Sequence, residues 1–336
     1  MREETKMITL QKKKSKDFVV LNLTDPQLAN SEWEEGHQNR QILEYTVREL
    51  VARVSPDLIT VSGDLAWAGH TVAYEKLANF LDSFAIPWAP VWGNHDNQEG
   101  PDAVDAVADA FLNHPYCVYE KGDPALGNGN YVIAVEEEGK MVEGIFMIDS
   151  HDRNCLQTED GSRRDVWAKL IPEQLVWYEN EVKRLKEAGC LETAMILHIP
   201  FYAYHLAAEA AYCPGIDRKE MTLAQAEGPD VWQEGYENSI GVMYEGVGCY
   251  PGEDGVFEVI RRGGSTKYVI AGHDHINNWM IDYEGVRLIY GLKVGAGCYW
   301  NPILNGGTVL QIGSEGVKEA RHEFVDVSHL LSQKEN

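Results

Sequence analysis

Apolar runs alternate with amphipathic stretches in the first third of the chain. A short apolar run at 18–23 is followed by residues 38–54, where apolar side chains recur at the three- and four-residue spacing of one helix face. A second run follows at 56–61, then a second helical pattern at 72–84 and a third run at 86–92. This order predicts two successive βαβ units and therefore a mainly parallel sheet with right-handed crossovers.

Later apolar runs predict further strands and a second sheet. They cover residues 131–135, 144–148, 193–197, 267–271, 286–290 and 308–312. Residues 172–188 have the spacing of an amphipathic helix, and Gly189 is well placed to end it. The interval 201–264 is rich in Gly, Tyr, Glu and Pro and predicts no regular element. Long irregular segments of this kind often cover active sites.

The domain organisation follows from the absence of repeats and linkers. No internal repeat or clear linker divides the sequence, so residues 17–330 are expected to form a single domain. Residues 1–16 are charged and include Lys12-Lys13-Lys14, and they are expected to be a flexible N-terminus. They lack the long apolar stretch of a secretory signal, so the expected location is cytoplasmic.

Composition describes a globular and strongly acidic chain. The 336 residues are 44% hydrophobic, which is enough for a sizeable core. A formal net charge of -24 argues against general nucleic-acid binding and against anionic membranes, because both attract basic surfaces. It does not exclude a phosphorylated substrate, since bound metal ions can supply a local positive field. No segment approaches the length of a membrane span.

The cysteine pattern predicts no metal knuckle and no redox pair. The six cysteines are scattered, and no two form a Cys-x-x-Cys pair. Most are expected to be buried as small hydrophobic residues. They are Cys117, Cys155, Cys190, Cys213, Cys249 and Cys298.

Three polar clusters follow predicted strands. They are Gly63-Asp64, Gly93-Asn94-His95-Asp96 and Gly272-His273-Asp274-His275, and two single residues, Asp25 and His198, also lie at strand ends. Side chains from separate parallel strands converge at the carboxyl edge of a sheet. Hard oxygen and imidazole donors from several elements are the ligands that a pair of divalent cations requires. The clusters therefore predict one metal site.

The ordered clusters resemble the calcineurin-like metallophosphoesterases. The pattern of that family is Asp-x-His, Gly-Asp, Gly-Asn-His-Asp or Glu, a lone His and Gly-His-x-His. Only the first block departs, because it reads Asp25-Pro26-Gln27 here. The phrases Met147-Ile148-Asp149-Ser150 and Leu197-His198-Ile199-Pro200 are most similar to the subgroup of plant and yeast purple acid phosphatase-like proteins. The resemblance implies a four-layer α/β/β/α sandwich of two mixed sheets flanked by helices.

The resemblance also implies a dinuclear site for Mn, Fe, Zn or Mg. A hydroxide shared by the two metals would attack phosphorus in line. His95 would protonate the leaving oxygen, and Asp64 would bridge the metals. The implied ligands are Asp25, Asp64 and His275 for one metal and Asp64, Asn94, His198 and His273 for the other.

Gln27 stands where the family has histidine. Its amide oxygen can coordinate a hard cation but is a weaker donor than imidazole for zinc and other late metals. The sequence leaves open whether Gln27 binds a metal or orients a water molecule.

Each cluster residue, taken alone, has an ordinary structural explanation. An Asp after a strand often caps a helix or turn, and His198 lies in an apolar phrase typical of a core histidine. Asp96 is expected to orient a neighbour rather than bind metal. His151 and His205 are expected to be structural or superficial, and Arg153, Arg163 and Arg164 to be solvated. It is the order of the whole set that favours a metal site.

The resemblance favours a phosphomonoesterase acting on a phosphorylated small molecule or protein. Phosphodiester cleavage, on a nucleotide or another diester, is the alternative in the same superfamily. A catalytically silent metal-binding protein is a third hypothesis, motivated by Gln27 and the irregular segments. The sequence does not indicate an oligomeric state.

Overall fold

Two mixed sheets and a small hairpin contain the strands of the computed structural model, which describes residues 7–67, 71–157 and 160–332. The strands are β1 (Ile8–Lys12), β2 (Phe18–Leu23), β3 (Leu58–Ser62), β4 (Trp88–Val91), β5 (Tyr131–Glu137), β6 (Lys140–Met147), β7 (Arg153–Gln157), β8 (Arg163–Trp167), β9 (Thr193–Ile196), β10 (Thr266–Ala271), β11 (Met280–Tyr283), β12 (Val286–Tyr290), β13 (Gly306–Gly313) and β14 (Gly316–Phe324).

Helices connect and cover these strands. The α-helices are α1 (Gln38–Val54), α2 (Thr71–Asp82), α3 (Pro101–Phe111), α4 (Pro172–Glu187), α5 (Tyr202–Ala211), α6 (Leu223–Ala226), α7 (Val256–Gly263) and α8 (Ser328–Leu331). Short 3₁₀ turns lie at Asn30–Trp33, Pro124–Leu126, Pro229–Val231 and Pro302–Leu304.

Both large sheets combine parallel and antiparallel pairs. The seven-stranded sheet has the order β1-β5-β6-β9-β10-β12-β11, and β6, β9, β10 and β12 are parallel neighbours. The five-stranded sheet has the order β14-β13-β2-β3-β4, with β2, β3 and β4 parallel. A two-stranded antiparallel hairpin, β7-β8, lies outside both. The predicted βαβ units are confirmed as β2-α1-β3 and β3-α2-β4.

Side chains along a strand point alternately to the two faces of the sheet, and this alternation gives the layered packing. In β6, Ile145 and Met147 belong to a core cluster that also includes Val61 of β3, so these side chains face the other sheet. Phe146 points the opposite way and packs with residues of α4, such as Tyr178. This period of two is the geometry of a strand buried on both faces. The observed layers are the α/β/β/α sandwich that the sequence predicted.

Several elements escaped prediction. Ile8–Lys12 pairs in parallel with β5, so the expectation of a flexible segment over residues 1–16 is corrected for residues 8–12, whereas residues 1–6 lie outside the described part of the chain. The interval 201–264 contains α5, α6 and α7 rather than only irregular chain. Their short length leaves little periodicity to detect.

The cysteine expectation is also corrected. All six cysteines are free, but only Cys190 is buried, and Cys155 and Cys298 are exposed. None of the described helices combines the length and apolar character that a membrane crossing needs.

Candidate metal centre

The predicted site residues lie in loops that follow strands of both large sheets. Because the parallel strands of the two sheets end at the same edge, their loops meet there, and the structure brings all of these residues together. They are Asp25, Gln27, Asp64, Asn94 and His95 after strands of the smaller sheet, and His198, His273 and His275 after strands of the larger sheet.

Asp25, Asp64 and His275 form the first group of donor atoms. One donor from each lies within 4.8 Å of the other two, and all three residues are buried. Asp25 Oδ1 lies 3.2 Å from His275 Nε2 but in a geometry that makes no hydrogen bond. Asp25 Oδ2 accepts hydrogen bonds from Thr24 Oγ1 at 2.5 Å and from the His273 backbone at 3.1 Å. The protein therefore fixes one oxygen of Asp25 and leaves the other to face the site.

His198 is at the centre of the second group. Its Nε2 lies 3.0 Å from Asn94 Oδ1, 3.3 Å from His273 Nδ1 and 3.4 Å from Asp64 Oδ1. Its Nδ1 lies 2.9 Å from the Ser62 carbonyl and donates to it, which orients the ring and points Nε2 at the other donors. Asp64 thus belongs to both groups.

These spacings fit divalent cations. Ligand distances of about 2.0–2.2 Å place neighbouring donors of one coordination sphere roughly 3–3.6 Å apart. The distances around His198 Nε2, 3.0–3.4 Å, lie in that range. The buried Asp25 Oδ1, which makes no hydrogen bond, has the same explanation.

Backbone strain is concentrated at this edge. Asp25, Gln27, Asp64 and His273 all have positive φ, at 53°, 47°, 48° and 77°. L-residues rarely adopt this left-handed region, and such residues persist only where the surrounding structure enforces them. The four residues with this conformation all belong to the candidate metal centre.

Two glycines allow the loops to approach one another. A Cβ on Gly93 would lie 2.2 Å from Asp64 Oδ1 and 2.3 Å from Asp64 N. A Cβ on Gly272 would lie 2.1 Å from Thr24 Oγ1. The glycine in each motif is therefore required by contact between loops.

Opposite charges shift the pKa values of the donor groups. Burial alone would raise the pKa of Asp25, but His275 and His198 hold it well below its usual range. Burial opposes a charge on His198, yet Asp64 and Asp25 raise its pKa to about 10. Burial, reinforced by His198, lowers the pKa of His273 to about 3. A divalent cation would compete with the proton on His198 for the same carboxylates.

Asp96 organises two of the loops, as expected for a residue that orients its neighbours. Its carboxylate accepts hydrogen bonds from the backbone of Gly93 at 2.7 Å and Leu65 at 3.1 Å and from the Tyr74 hydroxyl at 2.7 Å. Burial and the nearby Asp64 raise the pKa of Asp96 to about 7. Asp96 therefore connects the loops after β3 and β4 without facing the donor groups directly.

His95 lies at the open side of the site. Its backbone N–H donates to Asp64 Oδ1 at 2.8 Å, and its Nε2 is 4.0 Å from Asp64 Oδ2. The side chain is 21% exposed and its ring stacks on Trp67 at 4.4 Å. The Gln98 amide lies 2.8 Å from Nδ1. Because an amide can donate or, after rotation, accept, Gln98 can pair with either protonation state of the ring.

Gln27 contacts the shared carboxylate through its amide nitrogen. Nε2 donates to Asp64 Oδ2 at 3.0 Å, whereas Oε1 is buried without a hydrogen-bond partner in the described structure. In this orientation the amide nitrogen pairs with Asp64, and the oxygen is left without a hydrogen-bond partner in the described structure, as Asp25 Oδ1 is.

Sequence reasoning missed several contacts of the site. Lys293 is buried and donates to the Asp25 carbonyl at 2.5 Å, and burial lowers the pKa of its ammonium group. Tyr299 stacks on His275 at 4.2 Å and accepts from its Nδ1 at 2.8 Å through the backbone carbonyl. A lysine inside the apolar phrase 291–294 was the available signal, because buried lysines almost always have partners.

The remaining candidates take different roles. His151 lies against Gln174, with 2.7 Å between His151 Nε2 and Gln174 Oε1. Arg153 and Arg164 lie on the β7-β8 hairpin and line a cavity together with His205. Arg163 points instead toward Cys155, with 3.0 Å from its Nε to the sulfur.

Two mixed sheets face to face, with carboxylate, amide and imidazole donors at their common edge, define an α/β/β/α sandwich with a candidate metal centre. The family model for calcineurin-like phosphoesterases matches residues 18–277. The chain therefore belongs to the calcineurin-like phosphoesterase family, and membership implies divalent metals at this edge.

Known relatives agree with this membership. The chain is 26% identical over 281 residues to "Probable inactive purple acid phosphatase 28" of Arabidopsis thaliana, covering 76% of this chain and 62% of the relative. It is 25% identical over 266 residues to "Probable inactive purple acid phosphatase 29" of the same plant, covering 74% and 62%. The matched region thus spans just over three fifths of these curated relatives.

A solved structure has the same fold. The crystal structure of a dimetal phosphatase from Danio rerio matches with a TM-score of 0.55 and 14% identity, covering 91% of this chain and 98% of that one. At this level of identity the likeness concerns the fold.

Proposed function

We propose that this protein is a phosphomonoesterase that holds two divalent cations, of Mn, Fe, Zn or Mg. The observation that carries the proposal is the pair of donor groups that share Asp64. The residues proposed to hold the cations are Asp25, Asp64 and His275 in one group and Asp64, Asn94, His198 and His273 in the other, with Gln27 beside the shared carboxylate.

When bound, divalent cations activate water and neutralise phosphoryl oxygens. The protein's own contribution is orientation and proton transfer. Thr24 and the His273 backbone fix Asp25, and Ser62 fixes His198. His95 Nε2, at 4.0 Å from Asp64 Oδ2 and on the open side, is placed to protonate a leaving oxygen.

The same geometry supports treating residues 17–330 as one functional domain. The two donor groups combine loops from the five-stranded and seven-stranded sheets, so neither sheet holds the site alone. The substrate class is a phosphorylated small molecule or protein. Preference for a monoester rests on the purple acid phosphatase names of the curated relatives.

Two alternative functions differ from this proposal. Phosphodiester cleavage uses the same kind of centre and differs in whether the pocket accepts a second ester substituent. A catalytically silent metal-binding protein is favoured by the Gln27 amide, which donates to Asp64, and by the word "inactive" in the relatives' names. His95 argues against silence, because a structural metal has no need of an imidazole on the open side.

Hydrolysis of p-nitrophenyl phosphate and bis-p-nitrophenyl phosphate tests these three functions. The protein is stripped of metal and reloaded separately with Mn²⁺, Fe²⁺, Zn²⁺ or Mg²⁺. We expect metal-dependent turnover with a preference for the monoester. A preference for the diester would establish the phosphodiesterase instead. Tight metal binding without turnover of either ester would favour the silent protein.

Two variants assign the activity to this site. His95→Ala should lower kcat by about 10²–10⁴-fold, the usual contribution of general acid catalysis, while metal content measured by mass spectrometry stays at the parent level. Asp64→Asn should lower both kcat and the metal content. The control is His329→Ala, because His329 contacts Tyr45 far along the chain from the donor residues. Equal activity in the parent and His95→Ala would contradict the assigned role of His95.

A further inference from the structure

A cavity of about 540 Å³ opens beside the candidate metal centre. It lies between strand β8, the first turn of α5 and the loop at 247–251. Its lining residues include Arg153, Arg164, Trp167, Tyr202 and His205.

Two residues of the cavity wall contact His273. The Trp167 ring meets the His273 ring edge-on at 4.3 Å. On the opposite wall, a Cβ at Gly248 would lie 2.8 Å from His273 Cδ2, so the loop touches the same imidazole. The cavity is therefore adjacent to one of the residues proposed to hold the metals.

The cavity is basic in an acidic protein. The chain has 53 acidic and 29 basic residues, yet the lining has two arginines, His205 and a single carboxylate, that of Asp165. Arg153 stacks over the Trp167 ring at 3.7 Å and pairs with Asp152 at 3.8 Å, so its charge is partly balanced. Arg164 makes no ion pair and no side-chain hydrogen bond with any described residue. Its five N–H donors are available to a ligand.

Arg164 precedes Trp167 by three residues in β8, so their Cα atoms are roughly 10 Å apart at about 3.3 Å per residue. An anion paired with Arg164 and a phosphate near His273 would need a linker on the order of this length.

We propose that this cavity binds a second anionic group carried by the alcohol portion of the phosphomonoester substrate. Arg164 pairs with that group, and the stacked Arg153 and Trp167 form the wall between it and the metal centre. The inference rests on the proposed function and deepens it, because it defines the substrate as a phosphomonoester with a second phosphate or carboxylate.

Calorimetric binding of non-hydrolysable phosphonates tests the cavity without turnover. The probes are pentylphosphonate, pentane-1,5-bisphosphonate and 6-phosphonohexanoate, each titrated into metal-loaded protein. We expect the two probes with an anionic group at each end to bind at least about tenfold more tightly than pentylphosphonate. This gain corresponds to one charge-assisted hydrogen-bond pair. The stronger of the two identifies the second group as phosphate or carboxylate.

Arg164→Gln should abolish the tighter binding of the probes with two anionic ends relative to pentylphosphonate. Arg163→Gln is the matched control. Arg163 is a neighbour on the same strand, is equally exposed and contacts Cys155 instead of the cavity. An equal loss in both variants would show a general charge effect and overturn the proposal. The proposal also fails if the parent protein binds all three probes equally or binds none.

Hydrolysis of pentyl phosphate and pentane-1,5-diol bisphosphate separates this inference from the proposed function. Turnover of both esters at equal kcat/KM, with no preference among the phosphonates, would leave the phosphatase and remove the anion cavity. Preferential binding of the bisphosphonate without turnover of either ester would retain the cavity and remove the phosphatase.

Discussion

At the scale of single residues, Gln27 is the position at which this chain departs from the family pattern. Its amide nitrogen donates to the shared Asp64 carboxylate, whereas its buried oxygen has no hydrogen-bond partner in the described structure. The φ of Gln27 is 47°, a left-handed conformation in which histidine is several-fold more common than most residues. The backbone can therefore accept the family residue without rearrangement.

Gln27→His should strengthen zinc binding by about tenfold or more, the scale on which single changes near a metal site act. The reason is that imidazole is a better donor than an amide for late metals. Titration of zinc into metal-stripped protein gives the affinity and the number of ions bound. Gln41→His, on the exposed side of α1, controls for an added histidine. Equal affinity in the parent and Gln27→His would show that residue 27 does not reach the cation.

At the scale of elements, the loop after β4 has almost no freedom. The missing side chain of Gly93 is what allows this loop to lie against Asp64, and Asp96 then connects it to the loop after β3. Loops positioned by packed strands in this way are rigid enough to hold a reactive centre.

Gly93→Ala should therefore displace Asp64 and lose metal. The new Cβ would lie 2.3 Å from a backbone nitrogen, which cannot rotate away as a side chain can. We expect about 1–3 kcal/mol of destabilisation, typical of overpacking, together with a large fall in metal content. Urea unfolding and metal analysis measure the two effects. Gly246→Ala is the matched control, because nothing lies within 4 Å of a Cβ at that position.

Strand β6 carries a buried acid away from the metal centre. Glu143 lies opposite Val135, and neither of its carboxylate oxygens has a hydrogen-bond partner in the described structure. Burial, and then the neighbouring Glu192, raise its pKa from 4.5 to about 8. Between these two values the folded protein keeps a proton that the unfolded chain has lost.

The stabilising effect of that proton is complete below pH 4.5 and is lost as pH rises toward 8. The free energy of unfolding should fall by up to about 1.4 kcal/mol per pH unit over this interval from Glu143 alone. Glu143→Gln, which cannot ionise, should flatten the slope, as measured by urea unfolding at pH 5, 6.5 and 8. Glu187→Gln, at an exposed position in α4, should keep the parent slope. An unchanged slope in Glu143→Gln would show that this carboxyl is already ionised at pH 5.

At the scale of the whole molecule, the candidate centre joins the two sheets. The loops after β2, β3 and β4 carry donors from the five-stranded sheet, and those after β9 and β10 carry donors from the seven-stranded sheet. A cation bound by both sets would bind the folded protein and not the unfolded chain. Its binding energy therefore adds to the stability of the whole sandwich.

Removing metal with a chelator should lower the unfolding temperature by about 3–5 °C. This shift corresponds to roughly 2.7 kcal/mol for an ion present at a hundredfold above its dissociation constant. Calorimetry of the parent and Asp64→Asn with and without Mn²⁺ measures it, and the variant should show little response. A full response in Asp64→Asn would place the stabilising ion elsewhere.

Local elements and the order of the site residues along the chain could be predicted from the amino-acid sequence. The runs at 18–23 and 38–54 became β2 and α1 with the same bounds. The first is a short continuous apolar run, and the second has a long helical period of apolar residues. The candidate site residues could be predicted because glycine-containing motifs follow parallel strands. The carboxyl ends of parallel strands lie at the same edge of a sheet.

Features that depend on contacts between distant segments could not be predicted from the sequence. The orientation of Gln27, the burial of Lys293 and the cavity beside Trp167 arise from residues 37 to 268 positions apart or from separate elements. The short strands β7 and β8 carry mostly polar, exposed residues and so lack an apolar period. Strand β1 alternates, but it contains only two apolar residues, Ile8 and Leu10. Local sequence records the propensity of a segment, whereas its neighbours in space determine which polar groups are paired and which face a ligand.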